Sequence, residues 1–324
     1  MSGVRWERRL HQAGASSALA LAPGHLVVHE RNTRLVSLDP ADGSVRWDVP
    51  VGTWPRAVVI TGRRCLLLPQ NTGLVLCLDL DSGDRVWTAG PYGFVGHLVV
   101  ADDVVFVGGW RGYTPLRALD LGTGRLRWEA DLREHIVRPM QVGAGLLTGR
   151  PGDRVLRLLD RRDGRPLTTW SLPSPLGDHE TAFVADEAGG VLVRCGSRSI
   201  ARLVPSAGTA ELVVEADLPA VTMEYLGGLL WLWDRRSGYT LVNPSDGRTR
   251  GRVDPGRQLV GSVVPAGGGY VVAETNGALL RLSPQGRIGD RVVVGRRIRA
   301  LHGLEPSGLL VVTKGSLLAF EHPG

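Results

Sequence analysis

Four side chains along the 324-residue chain have the chemistry for proton transfer: His97, His179, Glu180 and Glu224. His179 and Glu180 are adjacent in "LGDHET", so one loop would hold two groups able to take a proton from a polar substrate within hydrogen-bond reach. A second set has the chemistry of binding. Arg56, Arg138, Arg236 and Arg297 offer planar cationic forks for carboxylate or phosphate groups. His29 and His135 add ring nitrogens, and Trp54, Trp110, Tyr113 and Trp233 add flat apolar faces with a polar edge. No GxxxxGK[ST], HExxH or GxSxG segment occurs, so the familiar nucleotide, zinc-protease and serine-hydrolase arrangements are absent.

Residues this far apart make a site only if the fold gathers them, and the fold is written as a repeat. "LVSLDPADGSVRW", "VLCLDLDSGDRVW" and "LRALDLGTGRLRW" share the pattern apolar-x-x-Leu-Asp-x-x-x-Gly-x-x-x-Trp, with Asp39, Asp79 and Asp120 spaced by 40 and 41 residues. A fourth copy keeps Asp160 and Gly164 and moves the indole to Trp170. Four later copies decay, with Val204, Asn243, Ser283 and Glu321 in the Asp place. Within the second unit, "PRAVVIT", "RCLLLPQ", "GLVLCLDL" and "DRVWTAG" are short β-rich runs separated by turn residues, which predicts four strands, A to D, per repeat. Four strands every ~40 residues is the period of a propeller blade. Asp can accept backbone N–H groups inside the C-to-D turn, Gly supplies positive φ, and Trp fills the wedge between twisted sheets. These repeated residues are therefore read as structural.

The Asp-Gly turn followed by an outer-strand Trp resembles the pyrroloquinoline-quinone-type (PQQ-like) β-propeller repeat. The resemblance implies an all-β, eight-bladed β-propeller of four-stranded antiparallel blades, with a tryptophan-docking contact between blades. It does not extend to the cofactor. The quinoprotein dehydrogenases of that family are longer, add loops over the ring, and many stack the quinone on a disulfide of adjacent cysteines. Cys65, Cys77 and Cys195 are far apart in this chain, so no quinone and no other cofactor is expected. Assembly lipoproteins of the bacterial outer membrane are similar in length and blade number. The start, "MSGVRWERRLHQ", carries no counterpart of their lipoprotein signal, which argues for a cytoplasmic bacterial protein.

Eight C-strand copies occur, yet the last, "SLLAFE", lacks a Trp strand, while "GVRWERR" opens the chain as a Trp strand without a blade. Joined, they predict one domain over residues 1–324, with blade eight built from about 296–321 plus about 3–10. The A-to-B and C-to-D turns are plain and make one face a scaffold. The other face collects the B-to-C hairpins "HERNTR", "GWRGYTP" and "WDRRSGY" and the D-to-A connections "VGTWPR", "LREHIVR" and "LGDHET". Binding residues favour loops on a rigid scaffold, so this face should hold the site. Arg56, Glu180 and Arg297 then lie near a channel mouth, with His97 and Arg138 one position deeper. His29, His135 and His179 fall on separate blades, which argues against a shared metal.

The net charge is +6, with 37 Arg and one Lys. The arginines are scattered among Asp and Glu rather than gathered in a stripe, which argues against nucleic acid as a partner. No window approaches the ~18 apolar residues of a membrane span. The leading expectation is a binding scaffold whose aromatic and Arg-rich face engages a small molecule, peptide or protein. The alternative is a cofactor-independent lyase, cyclase or isomerase, possible in natural-product biosynthesis, with its chemistry in the central funnel.

Overall fold

Leucine and valine runs of four to seven residues, broken by Gly, Asn and Asp, leave room for strands and hairpins, and the described residues contain no helix. The computed structural model describes residues 3–10, 18–30, 33–52, 55–69, 72–93, 95–130, 133–178, 181–204, 209–215, 222–305 and 308–321. No helix among them is long and apolar enough to cross a membrane. The chain divides into two compact units. The first comprises Leu10–Pro151 and Leu156–Thr169, and the second Met1–Arg9, Gly152–Val155 and Trp170–Gly324.

A lone strand, β1 (Val4–Arg9), precedes the first full set, β2 (Leu19–Ala22), β3 (His25–Glu30), β4 (Arg34–Leu38) and β5 (Val45–Pro50). The next set is β6 (Pro55–Thr61), β7 (Arg64–Pro69), β8 (Val75–Asp79) and β9 (Arg85–Ala89). Then come β10 (His97–Ala101), β11 (Val104–Gly108), β12 (Arg117–Asp120) and β13 (Leu126–Glu129). A fourth set is β14 (Met140–Val142), β15 (Gly145–Gly149), β16 (Val155–Asp160) and β17 (Pro166–Ser171). In the second unit, β18 (Phe183–Ala185), β19 (Val191–Cys195), β20 (Ser199–Val204) and β21 (Thr209–Glu215) make the fifth. The sixth is β22 (Thr222–Leu226), β23 (Leu229–Asp234), β24 (Gly238–Val242) and β25 (Thr249–Val253). The seventh is β26 (Val264–Ala266), β27 (Gly269–Glu274), β28 (Ala278–Leu282) and β29 (Ile288–Val293). The chain ends on β30 (Ile298–Leu304), β31 (Gly308–Thr313) and β32 (Ser316–Glu321).

Each set is a four-stranded antiparallel meander in chain order. One parallel bridge, Ser171↔Thr209, links β17 to β21. The last sheet has the order β1-β32-β31-β30, with Val4 opposite Phe320 and Arg9 opposite Ser316. This is an all-β propeller-type fold.

Second strands are the deepest. β7, β11, β15, β19 and β31 read as near-continuous apolar runs because both of their faces are buried. Fourth strands cover only one face, so β5 ("VRWDVP") buries Trp47 and little else. In the first unit, Val27, Trp47, Leu67 and Leu76 join the first two sheets, Leu66, Trp87 and Val107 the next two, and Phe106, Ile136 and Leu146 the last two. Leu192 with Leu230, Trp233 with Val272, and Val271 with Leu309 do the same in the second unit.

The turn motif works through three linked contacts. Asp39 Oδ1 accepts from Ala41 N (2.8 Å) and Asp120 Oδ1 from Thr123 N (2.9 Å), so each carboxylate closes its own turn. Arg127 and Thr123 hold the Asp120 carboxyl down to about 2. The third-to-fourth strand ladder then slips by one residue: Ser37 faces Trp47 and Leu38 faces Val45, leaving Arg46 as a bulge. The indole crosses to the next sheet, where Trp47 Nε1 donates to Leu80 O (2.8 Å), Trp87 Nε1 to Leu121 O (2.8 Å) and Trp128 Nε1 to Arg161 O (2.9 Å). Gly124 adopts φ +71°, and a Cβ there would lie 2.5 Å from the Trp87 ring. Its glycine is thus required twice, once by the turn and once by the ring resting on it.

Candidate functional site

The first unit gathers Arg56, His97, Trp110, Tyr113, His135 and Arg138. The B-to-C hairpin "GGWRGYTP" is rolled tightly by a left-handed run in which Gly109 has φ 68°, Arg111 φ 51° and Gly112 φ 67°. Trp110 is thereby laid over Gly96, where a Cβ would sit 2.2 Å from the ring. The guanidinium of Arg56 stands 4.3 Å and that of Arg111 4.5 Å from the Trp110 ring centroid, both in cation–π contact. Tyr113 meets the same indole edge-on at 6.0 Å and is 50% exposed. His135 Nδ1 accepts from Arg111 N (2.9 Å), tying the D-to-A connection to the hairpin.

His97 sits at the head of β10 and donates from Nε2 to Ile136 O (3.0 Å). Burial pushes its pKa down to about 4, and the charges of Arg138, His135 and Arg56 act in the same direction. At neutral pH its ring is uncharged and its donor is already used. It therefore works as a post beneath the cluster.

Ile136 and Gly109 separate this cluster from a groove of about 480 Å³ between the third and fourth sheets. Leu116, Trp128 and Leu159 give the groove an apolar floor. Its mouth is polar: Glu134 bridges Arg150 at 3.3 Å and Arg157 at 3.9 Å. Arg111, Gly96, Arg150 and Arg157 were not among the site residues read from sequence. The glycines flanking "WR" in the hairpin are the signal that could have marked Arg111, since they announce a backbone folded back on itself.

Other expected site residues are placed differently. Trp54, His179 and Glu180 lie outside the described residues. His29 is 2% exposed and donates Nε2 to Gly52 O (3.1 Å), and burial lowers its pKa. Trp233 is 9% exposed, packed in the core beside Gly261, with no partner for Nε1 among the described residues. Both correct the sequence reading for one reason. β3 runs on to Glu30 and β23 to Asp234, so these residues are still inside buried second strands rather than at hairpin tips.

Arg236 is exposed on the hairpin between β23 and β24, and Arg297 is exposed ahead of β30. Burial alone pushes Glu224 up to about 7. The cysteines are buried and free, with burial raising Cys65 to about 12 and Cys77 and Cys195 to about 11. Among the described residues no group of three His, Cys, Asp or Glu side chains is close enough to hold a metal ion.

The family profile described as outer membrane protein assembly factor BamB matches residues 71–224. Over those residues the repeats are similar to PQQ-like propeller repeats. Outer membrane protein assembly factor BamB of Moranella endobia (strain PCIT) is 25% identical over 196 residues, 52% of this chain and 48% of that relative. The same factor from Alteromonas naphthalenivorans is 25% identical over 148 residues, 44% of this chain and 30% of that relative. The chain thus spans half or less of the curated relatives it matches.

Among solved structures, BamB from Moraxella catarrhalis is similar with a TM-score of 0.77 at 17% identity, covering 97% of this chain and 96% of that one. The computationally designed Ika8 protein follows at 0.75 and 12% identity, covering 99% and 100%, and Saccharomyces cerevisiae Sqt1 at 0.74 and 10%, covering 98% of each. These likenesses carry the fold. The cytoplasmic expectation is overturned: both curated relatives and the matching family are outer membrane protein assembly factors by name.

Proposed function

We propose that this protein is a polypeptide-binding propeller that uses the PQQ-like fold as a rigid frame and the Trp110 hairpin as its contact point. The observation that carries the reading is the pair of guanidinium groups within 4.5 Å of one Trp110 ring, beside an exposed tyrosine. Trp, Tyr and Arg are the residues that dominate binding energy at interfaces, and cations stacked on an indole are held ready without further loss of rotamer freedom. The partner's segment would carry carboxylates for Arg56, Arg111 and Arg138, and an apolar side chain for the groove floored by Leu116 and Leu159. The assembly role in the relatives' names is in keeping with a protein partner. A single domain with all eight sheets in one ring is part of this proposal.

A second reading, proton-transfer catalysis, is supported by one observation, the pKa of about 7 at Glu224. It has no placed partner group, since His179 and Glu180 are not described and His97 is committed to Ile136 O. Binding therefore stands first.

Photo-crosslinking in the source cells tests it. A benzophenone side chain at Tyr113 should capture one defined polypeptide, and Arg56→Ala with Trp110→Ala should abolish that product. The same probe at Ser82, in a C-to-D turn, should capture none. An identical product from both positions, or none from Tyr113, would sink the reading.

A further inference from the structure

The second unit contains an open surface pocket of about 420 Å³ lined by Arg9, Arg296, Arg297 and the Thr313–Ser316 tip that carries Lys314. Lys314 is the only lysine in the chain. Several arginines elsewhere are answered by acids, as in Arg34 with Asp48, Arg46 with Asp39, Arg127 with Asp103 and Asp120, and Arg250 with Asp246. Here the balance differs. Glu7 accepts from Arg296 Nη1 and, at 3.0 Å, from Ser316 Oγ, and this pairing lowers its pKa. Arg296 is thereby used. The side chains of Arg9, Arg297 and Lys314 make no hydrogen bond or ion pair among the described residues, although all three line the one pocket.

The tip is built to hold its shape. Thr313 Oγ1 accepts from Ser316 N (2.9 Å) and Gly315 N (3.3 Å) and donates to Ser316 O (3.0 Å). Those N–H groups are turned inward, so a ligand would meet side chains rather than backbone. Four cationic side chains share one nearby carboxylate, Glu7, so positive charge is in excess, and an anion reduces the remaining repulsion as well as accepting hydrogen bonds. Guanidinium forks grip two oxygens at once and an ammonium acts as a compact point charge, a combination suited to a tetrahedral oxyanion carrying more than one charge.

We propose that this pocket binds a phosphate-class dianion, either inorganic phosphate or a phosphomonoester, through Arg9, Arg297 and Lys314. The proposal is independent of the polypeptide-binding reading.

Calorimetric titration of the full chain at low ionic strength tests it, with inorganic phosphate, O-phosphoserine and acetate as probes. Phosphate and phosphoserine should saturate one site and acetate should not. Tighter phosphoserine would assign a phosphomonoester, and tighter phosphate the free ion. Lys314→Ala and Arg297→Ala should each weaken binding about tenfold. Both residues are exposed, so thermal midpoints should stay unchanged, and Arg56→Ala should leave binding intact. Equal binding of acetate, no saturable binding, or binding that survives both pocket substitutions would overturn the proposal.

Discussion

The two units close the same kind of junction by different means. In the first, an indole from the fourth strand of one sheet rests on the turn of the next, as Trp47 does beside Gly83 and Trp87 beside Gly124. In the second, the indole contact recurs where Trp170 Nε1 donates to Val204 O (3.3 Å), but at the turns that follow backbone approaches backbone. A Cβ at Gly247 would lie 2.2 Å from Val213 O, and one at Gly251, where the repeat would place Trp, 3.0 Å from Gln285 O. The aromatic bulk has moved inward, to Trp231 packed against Tyr239 (5.8 Å) and Tyr270 (4.6 Å). What both units retain is the bulge before the Trp place, since Leu241 faces Gly251 and Val242 faces Thr249 just as Ser37 and Leu38 face Trp47 and Val45. The bulge and the glycine turn define the repeat more durably than the tryptophan.

This contrast can be broken by mutation. Trp87→Ala should cost about 3 to 5 kcal/mol in urea unfolding, because it removes a buried ring together with its bond to Leu121 O. Leu241→Ala in the second unit should cost about 2 to 4 kcal/mol with no lost hydrogen bond. Equal m-values in both variants would let the difference be read as stability alone.

Glycine substitutions sharpen it. Gly247→Ala meets a carbonyl oxygen that cannot move aside and should cost about 3 kcal/mol, and Gly124→Ala meets a stiff ring and should cost about 2 to 3 kcal/mol. Gly286→Ala, whose nearest atom is Leu241 Cδ2 at 2.9 Å, should cost about 1 to 2 kcal/mol, the strain of its positive φ of 77°, because that side chain can swing away. A larger loss at Gly286 than at Gly247 would refute the claim that a fixed carbonyl neighbour costs more than a side chain that can move.

The smallest effect is in pH. Burial holds the folded-state pKa of His97 near 4, below its unfolded value of 6.5, so the unfolded chain binds the proton first. His97 therefore favours the folded state least at low pH, and stability falls as pH drops from about 6.5 toward about 4. His97→Gln should flatten that part of a melting-temperature profile. A profile of unchanged slope would mean that the ring titrates freely.

Much of the fold was legible because periodic patterns report backbone geometry directly. "PRAVVIT" is β6 to the residue, and Asn243 and Ser283 still serve their turns, accepting from Ser245 N (2.8 Å) and Gln285 N (3.2 Å). The candidate site was legible only in part. Arg56, Trp110 and Tyr113 come together because hairpin and connection share one edge of their sheets, which topology predicts. His29 and Trp233 were misplaced because nothing local in "VVHERN" or "WLWDRR" says where a strand ends and its tip begins. The bulge is likewise invisible in the letters, since Arg46, Val86 and Arg127 share only their position before a tryptophan.

The central claim is that the Trp110 hairpin is the partner surface, and the affinity of the purified crosslinked polypeptide for three forms of the chain tests it most directly. Trp110→Ala should raise the Kd at least tenfold, as expected for loss of a hot-spot aromatic, while Lys314→Ala should leave it unchanged. A Kd insensitive to Trp110→Ala, or moved equally by Lys314→Ala, would contradict the account.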